Sequence, residues 1–217
     1  MRIRPRFLLP IAATAAPLAL PAAAGPVSFA NGWNHQRLSL FNANDYSFGS
    51  QLGIASDNAV SLAWTRLPRG EWGATAASWS WRVDQSVPAT DLSRKGGDDR
   101  NISLYFVFLP EAEAARLEGA NIRQLMGNDS VRILQYAWGG NHGRGQIIGS
   151  PYAPGQGATV ALRQAGTGAH SESVDLAADF RRAFGAAPGA LVGLAVSADS
   201  DDTDSVVRAA IGNLSLR

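Results

Sequence analysis

Ser78-Trp79-Ser80-Trp81-Arg82-Val83-Asp84 is followed by a polar loop, Gln85 to Lys95, and then by Gly96-Gly97-Asp98-Asp99-Arg100-Asn101-Ile102-Ser103-Leu104-Tyr105-Phe106-Val107-Phe108. This stretch decides the fold. Side chains alternate along a strand, so Trp79, Trp81 and Val83 share one face. Ile102, Leu104, Phe106 and Phe108 share a face of the second strand by the same rule. Two such faces must each be buried against another layer. The loop between them concentrates charge: Asp91, Lys95, Asp98, Asp99 and Arg100.

Similar short segments recur outward from this stretch. Val60, Leu62 and Trp64 alternate with Ser61, Ala63 and Thr65, and Leu134, Tyr136 and Trp138 alternate within Val131 to Trp138. Val27 to Phe29, Gln51 to Ala55, Thr159 to Gln164, Leu191 to Val196 and Val206 to Leu216 read as further strands. Phe41 to Ser50 reads as a surface loop. The period changes in two places. Pro110 to Met126, with Leu117, Ile122 and Leu125, reads as one or two helical turns covering an end of the molecule. Val174 to Phe184, with Leu176, Phe180 and Phe184 at four-residue spacing and Gly185 as a stop, reads as the best helix. Short strands with frequent turn signals predict an all-β, antiparallel β-sandwich with one or two short helices.

Residues 1–24 read as a secretory signal. Arg2, Arg4 and Arg6 precede an apolar run from Phe7 to Leu20, and Ala22-Ala23-Ala24 offers a small-residue cleavage site. Gly25 is then the expected first mature residue, and residues 25–217 form one domain. The expected location is periplasmic or extracellular. The apolar run is too short for a membrane span. Setting the three leader arginines aside leaves 16 basic and 18 acidic residues, a formal net charge of −2. That balance argues against a nucleic-acid partner, which needs a basic footprint. With no cysteine in the chain, disulfides, thiolate metal sites and cysteine nucleophiles are excluded.

Several segments, taken in order, resemble an uncharacterised exported family catalogued as domain of unknown function 3047. They are Ser56-Asp57-Asn58-Ala59-Val60-Ser61, Ser80-Trp81-Arg82-Val83, Asp91 with Lys95 and Gly97-Asp98-Asp99, Tyr136-Ala137-Trp138, Asp179 to Gly185, and Asp199-Ser200-Asp201-Asp202-Thr203. The resemblance implies a jelly-roll sandwich similar to carbohydrate-binding modules and galactose-binding-like domains. It implies no activity. Two positions depart from the family pattern. Ala169 to Glu172 lacks a tryptophan expected before the helix, and Asp202 replaces a more usual asparagine.

The chemistry-bearing residues fall into three groups. Asp98-Asp99 opens one strand and Asp199, Asp201, Asp202 and Asp204 follow another, so neighbouring strands would bring carboxylates to one rim. Converging carboxylates repel unless a cation or a basic residue intervenes. A structural Ca²⁺ held by Asp99, Asp199 and Asp201 is one expectation; turn bonds and ion pairs to Lys95, Arg100 or Arg82 are the bland alternative. Among the tryptophans, Trp79 and Trp81 could stack on sugars or fill the core, with the core favoured for at least one. Trp72 and Trp138 are the better exposed prospects. Third, His35, His142 and His170 show no metal spacing, and His142 in its glycine-rich loop, Gly139 to Gly145, is expected in solvent. The leading expectation is a non-catalytic binding module for a glycan or envelope component. Its recognition edge would be Lys95, Asp98, Asp99, Arg100, Tyr136 and Trp138. The alternatives are a polysaccharide-acting hydrolase using Asp98 or Asp99 with Asp201, and a structural or interaction protein of the envelope.

Overall fold

The computed structural model describes residues 25–38, 42–121, 124–125 and 127–217; the proposed leader and Ile122 lie outside these. Among the described residues the strands are β1 (Gly25–Pro26), β2 (Asn34–Arg37), β3 (Asp45–Phe48), β4 (Gln51–Asp57), β5 (Ser61–Arg66), β6 (Ala76–Gln85), β7 (Arg100–Leu109), β8 (Arg132–Trp138), β9 (Ile147–Gly149), β10 (Gly157–Arg163), β11 (Gly168–Asp175), β12 (Ala190–Asp199) and β13 (Val206–Leu216). Two α-helices join them, α1 (Glu111–Arg116) and α2 (Leu176–Phe184). One sheet runs β11-β6-β13-β4-β3, with β1 also on β13, and the other runs β2-β5-β12-β7-β8-β10-β9. The expected all-β sandwich is therefore the architecture. Every ladder is antiparallel except β8 with β10.

The opening stretch places its two strands in different sheets. β6 lies in the six-stranded sheet and β7 in the seven-stranded one. Each is the layer that the other is buried against. Trp79 meets Phe106 at 6.3 Å between ring centroids and Tyr136 at 5.6 Å, and Trp81 meets Trp138 at 5.7 Å. Tilted and edge-on rings at such separations add to the gain from burial itself. The loop from Ser86 to Asp99 thus crosses from one sheet to the other. Gly140 (φ 72°) packs tightly beneath it: a Cβ there would lie 2.7 Å from Leu92 Cγ.

α2 begins at Leu176, capped by Asp175, whose side chain accepts a hydrogen bond from Ala178 N. It ends at Gly185 in the left-handed region (φ 73°), which glycine adopts without a Cβ clash. Phe180 packs on Phe108 and Phe184. α1, six residues long, fits the one or two helical turns read from Pro110 to Met126. The segment after it is pinned by Arg66, which donates to the carbonyls of Leu117 and Ala120. With Leu125 and Val131 it covers one end of the outer face of the seven-stranded sheet. No helix among the described residues is long and apolar enough to cross a membrane.

Candidate functional site

β5 reverses the expected orientation. Ser61, Ala63 and Thr65 face inward, and Leu62 and Trp64 are half-buried on the outer face. The small inward side chains fit beneath the crowded aromatic core, and the large apolar ones are left outside. The ladder registers then set up a transverse row. Trp64 lies opposite Ala195, Ala195 opposite Tyr105, Tyr105 opposite Gln135, and Gln135 opposite Thr159. At about 4.8 Å per strand, this row spans roughly 19 Å. Ala195 leaves a gap between the two aromatic residues.

Two hollows flank the row and share Tyr105. The apolar one, about 110 Å³, includes Leu62, Trp64, Val107 and Ile133. The polar one, about 140 Å³, includes Asp98, Arg100, Gln135, Tyr152 and Thr159. Neither reaches the roughly 300 Å³ of an enclosed small-molecule pocket. Together they make an open track. A larger hollow of about 440 Å³ lies beside α1 and includes Trp72, Glu111 and Pro188. Another, about 330 Å³, lies over Gln51, Ser80 and Arg82 of the six-stranded sheet. Neither has an aromatic row beside fixed polar groups.

The polar groups of the track are held in place. Gln135 Nε2 donates to Ser103 Oγ at 2.7 Å, and Gln135 Oε1 accepts from Thr159 Oγ1 at 3.2 Å. Arg100 Nη1 lies 3.0 Å from Asp98 Oδ2 and 3.0 Å from Asp199 Oδ2. Arg100 Nη2 donates to Tyr105 OH at 2.9 Å, and that hydroxyl is 2.8 Å from Ser197 Oγ. Tyr152 OH donates to Asp98 Oδ1 at 3.0 Å, and Lys95 Nζ sits 5.6 Å from the centre of the Tyr152 ring.

One guanidinium here serves two buried carboxylates, with Asp201 close by. That excess of negative charge favours a retained proton. Burial pushes the Asp199 carboxyl up to about 8; Arg100 opposes the shift, while Asp201 and Asp98 reinforce it. Burial works against the Arg100 charge, but Tyr105, Asp199 and Asp98 more than offset it and the guanidinium is held charged.

The sequence-chosen residues divide three ways. Lys95, Asp98 and Arg100 gather at the polar end of the track. Asp99 turns away to the Asp201–Ser205 turn, where it accepts from Asp202 N at 3.3 Å, from Thr203 N at 2.8 Å and from the Thr203 hydroxyl. Tyr136 and Trp138 are core residues, 0% and 2% exposed, and so do not form a recognition edge. Their strand faces the six-stranded sheet. The hydroxyl of Tyr136 donates to Asp179 of α2 at 2.9 Å, and burial with that neighbouring carboxylate pushes the phenol well up. Trp72 is half-buried and bonds Leu67 O at 3.1 Å. His142 is not in open solvent: its side chain is 11% exposed, and its Nε2 accepts from Leu92 N at 3.0 Å.

The acidic rim does converge, although not with the expected membership. Asp99, Asp201 and Asp202 bring carboxylate oxygens within 4.8 Å of one another, while Asp199 is engaged by Arg100. At one oxygen each they offer three of the six to eight that Ca²⁺ takes, and both Asp99 oxygens already accept turn donors. This donor set fits a turn staple better than a cation.

Trp64, Tyr105 and Gln135 were not singled out from the sequence. The available signal was Ser61-Ala63-Thr65, a face of small residues suited to lying under a tightly packed core.

Fold and site together define a two-sheet β-sandwich with an open amphipathic track across its larger sheet. The chain belongs to the family described as "Protein of unknown function (DUF3047)", whose model matches residues 31–215. No curated protein matches it. Among solved structures it is similar to the xyloglucanase domain of NopAA, a type three effector from Sinorhizobium fredii, in complex with cellobiose. The identity is 7% and the TM-score 0.44, over 91% of this chain and 99% of that one.

Proposed function

We propose that this protein is an exported, non-catalytic binding module whose outer row, from Trp64 to Thr159, takes a glycan chain or a glycan-bearing envelope component. One observation carries the proposal: an aromatic side chain, a small-residue gap, a second aromatic, a fixed amide and a hydroxyl line up in register across neighbouring strands. A sugar ring has an apolar C–H face and a hydroxyl edge. The first stacks on an aromatic ring and the second bonds to pre-oriented polar groups. Gln135 is pre-oriented by Ser103 and Thr159, so it loses little freedom on binding. Lys95, Asp98, Arg100 and Tyr152 would meet the polar end of the chain.

A hydrolase using Asp98 or Asp99 with Asp201 finds less support. Asp99 is committed to its turn, and Asp98 accepts from both Arg100 and Tyr152. The test is a glycan array followed by isothermal titration of the hits against wild type and Trp64→Ala. Binding weakened at least tenfold by that substitution supports the track. Absence of binding at millimolar glycan, or binding indifferent to Trp64 and Gln135, counts against it.

A further inference from the structure

We propose that the leader is cut between Ala24 and Gly25, and that the α-ammonium this creates docks on Glu71. The proposal goes beyond the glycan reading and rests instead on the sequence reading of residues 1–24 as a secretory signal.

Two observations on the folded part point to it. Glu71 Oε2 is buried and has no hydrogen-bond partner among the described residues. A buried acceptor left unpaired is costly, the more so for a carboxylate. Glu71 Oε1, on the same carboxylate, lies 2.6 Å from where a Cβ on Gly25 would stand. The nitrogen of a residue lies about 2.4 Å from its own Cβ by covalent geometry, which puts the Gly25 nitrogen within roughly 5 Å of Oε1. A small rotation of the flexible Glu71 side chain closes that distance to a hydrogen bond.

The neighbourhood is also firmly placed. Gly25 pairs with Leu216 of β13, and Val27 N donates to Leu214 O at 2.8 Å. Glu71 belongs to a single 3₁₀ turn, Arg69–Glu71, whose end is fixed by Ala74 N donating to Glu71 O at 3.0 Å. The nearby Arg69 is taken by Glu118 at 2.6 Å. The Glu71 carboxylate therefore lies against Gly25.

Cleavage supplies the missing charge. Water adds across the Ala24–Gly25 amide under the host's leader peptidase; Ala24 leaves as a carboxylate and the Gly25 nitrogen becomes an ammonium. An uncut amide nitrogen carries one hydrogen and no charge. The ammonium carries three hydrogens and a positive charge, so it can bond Glu71 and still serve the β1 ladder.

The test expresses the full precursor in an export-competent bacterium and sequences the N-terminus of the recovered protein. Wild type is then compared with Glu71→Gln in two measurements, the melting temperature and the acylation rate of the α-amine near pH 7. Lys95 is the chain's one lysine, so mass spectrometry separates the two amines. We expect a start at Gly25, an α-amine acylated several-fold more slowly in wild type than in Glu71→Gln, and a melting temperature lowered by about 2–4 °C in the variant. A different start site overturns the cleavage position and the docking with it. A Gly25 start with equal acylation rates in the two proteins overturns the docking alone. Either result leaves the glycan track untouched.

Discussion

Replacing Asp99 by asparagine separates the turn-staple role from a metal-ligand role. Asp99 is 0% exposed, and its two oxygens accept three donors from Asp202 and Thr203. Hydrogen bonds to a charged acceptor are worth about 1.5–3 kcal/mol each, and a buried donor left unpaired costs about 1–3 kcal/mol. Asparagine keeps one acceptor oxygen but turns an NH₂ group toward the other donors. At least one of the Asp202 and Thr203 donors is then unpaired, and the surviving bonds lose their charge assistance. We expect a loss of about 3 kcal/mol. For a domain of this size that corresponds to a melting temperature lower by about 6–12 °C. The assay is a thermal melt by circular dichroism, repeated in calcium and in chelator. If Asp99 acted mainly through a bound cation, chelation would cost wild type the same number of degrees and would leave the variant unchanged. We expect calcium and chelator to give wild-type melts within about 1 °C of each other, since both Asp99 oxygens already accept turn donors. A drop below about 1 °C in Asp99→Asn, or a chelator effect that reproduces the mutation, would refute the staple.

Four further substitutions test other parts of the molecule. Trp64→Ala should abolish glycan binding with little change in melting temperature, whereas Trp81→Ala, which empties a core position, should cost about 3–5 kcal/mol; similar melting losses in both would contradict the assignment of Trp64 to the surface row. Asp199, pushed up to about 8, gives the native state an extra proton between the ordinary carboxylate range and that value. Stability from this group is fully present at the acid end and falls as pH rises to about 8, with a slope approaching 1.4 kcal/mol per pH unit at most. Urea unfolding of Asp199→Asn across pH 5–9 should show the wild-type slope flattened; an unchanged slope would mean that Asp199 is ionised throughout. Glu172 is fully buried between Arg144 at 2.8 Å and Arg163 at 2.9 Å. Burial raises its carboxyl, but the two arginines override this and hold it low. Glu172→Gln should cost about 2–4 kcal/mol at neutral pH, and in wild type this contribution should fade as pH drops through the lowered carboxyl value; equal urea midpoints for the two proteins at pH 7 would refute it.

The faces of β6 and β7 were legible because their strong alternation leaves one way to bury the apolar set. Trp79, Trp81, Val83, Ile102, Leu104, Phe106 and Phe108 are all in the core. β11 was not legible. Its inward positions are His170, Glu172 and Val174, and no apolar alternation marks them. Glu172 is tolerated inside only because Arg144, from the glycine-rich loop, and Arg163, at the end of β10, converge on it. That neutralisation joins residues distant in sequence, so no local pattern can announce it. β3 was hidden for a similar reason. Asp45 to Phe48 looks like a polar loop, but Tyr46 bonds Ser61 O at 2.7 Å and packs against His35.

The burial of Tyr136 and Trp138 and the outward placement of Trp64 have a physical cause that applies beyond this chain. Alternation says that two faces differ; it does not say which faces the core. In β8 the aromatic face went inward because Tyr136 and Trp138 meet Trp79 and Trp81 across the sandwich. That interface was then filled. In β5 the inward side chains are Ser61, Ala63 and Thr65, with Ser61 Oγ accepting from Asn44 N and Thr65 Oγ1 donating to Gly32 O, and Leu62 and Trp64 lie on the outside. The outer row thus follows from how β5 packs. The same packing makes the row precise. β5, β12, β7, β8 and β10 are clamped from behind by the aromatic core, so the spacing from Trp64 to Thr159 cannot drift. The proposed glycan would therefore meet a row whose spacing is set before binding.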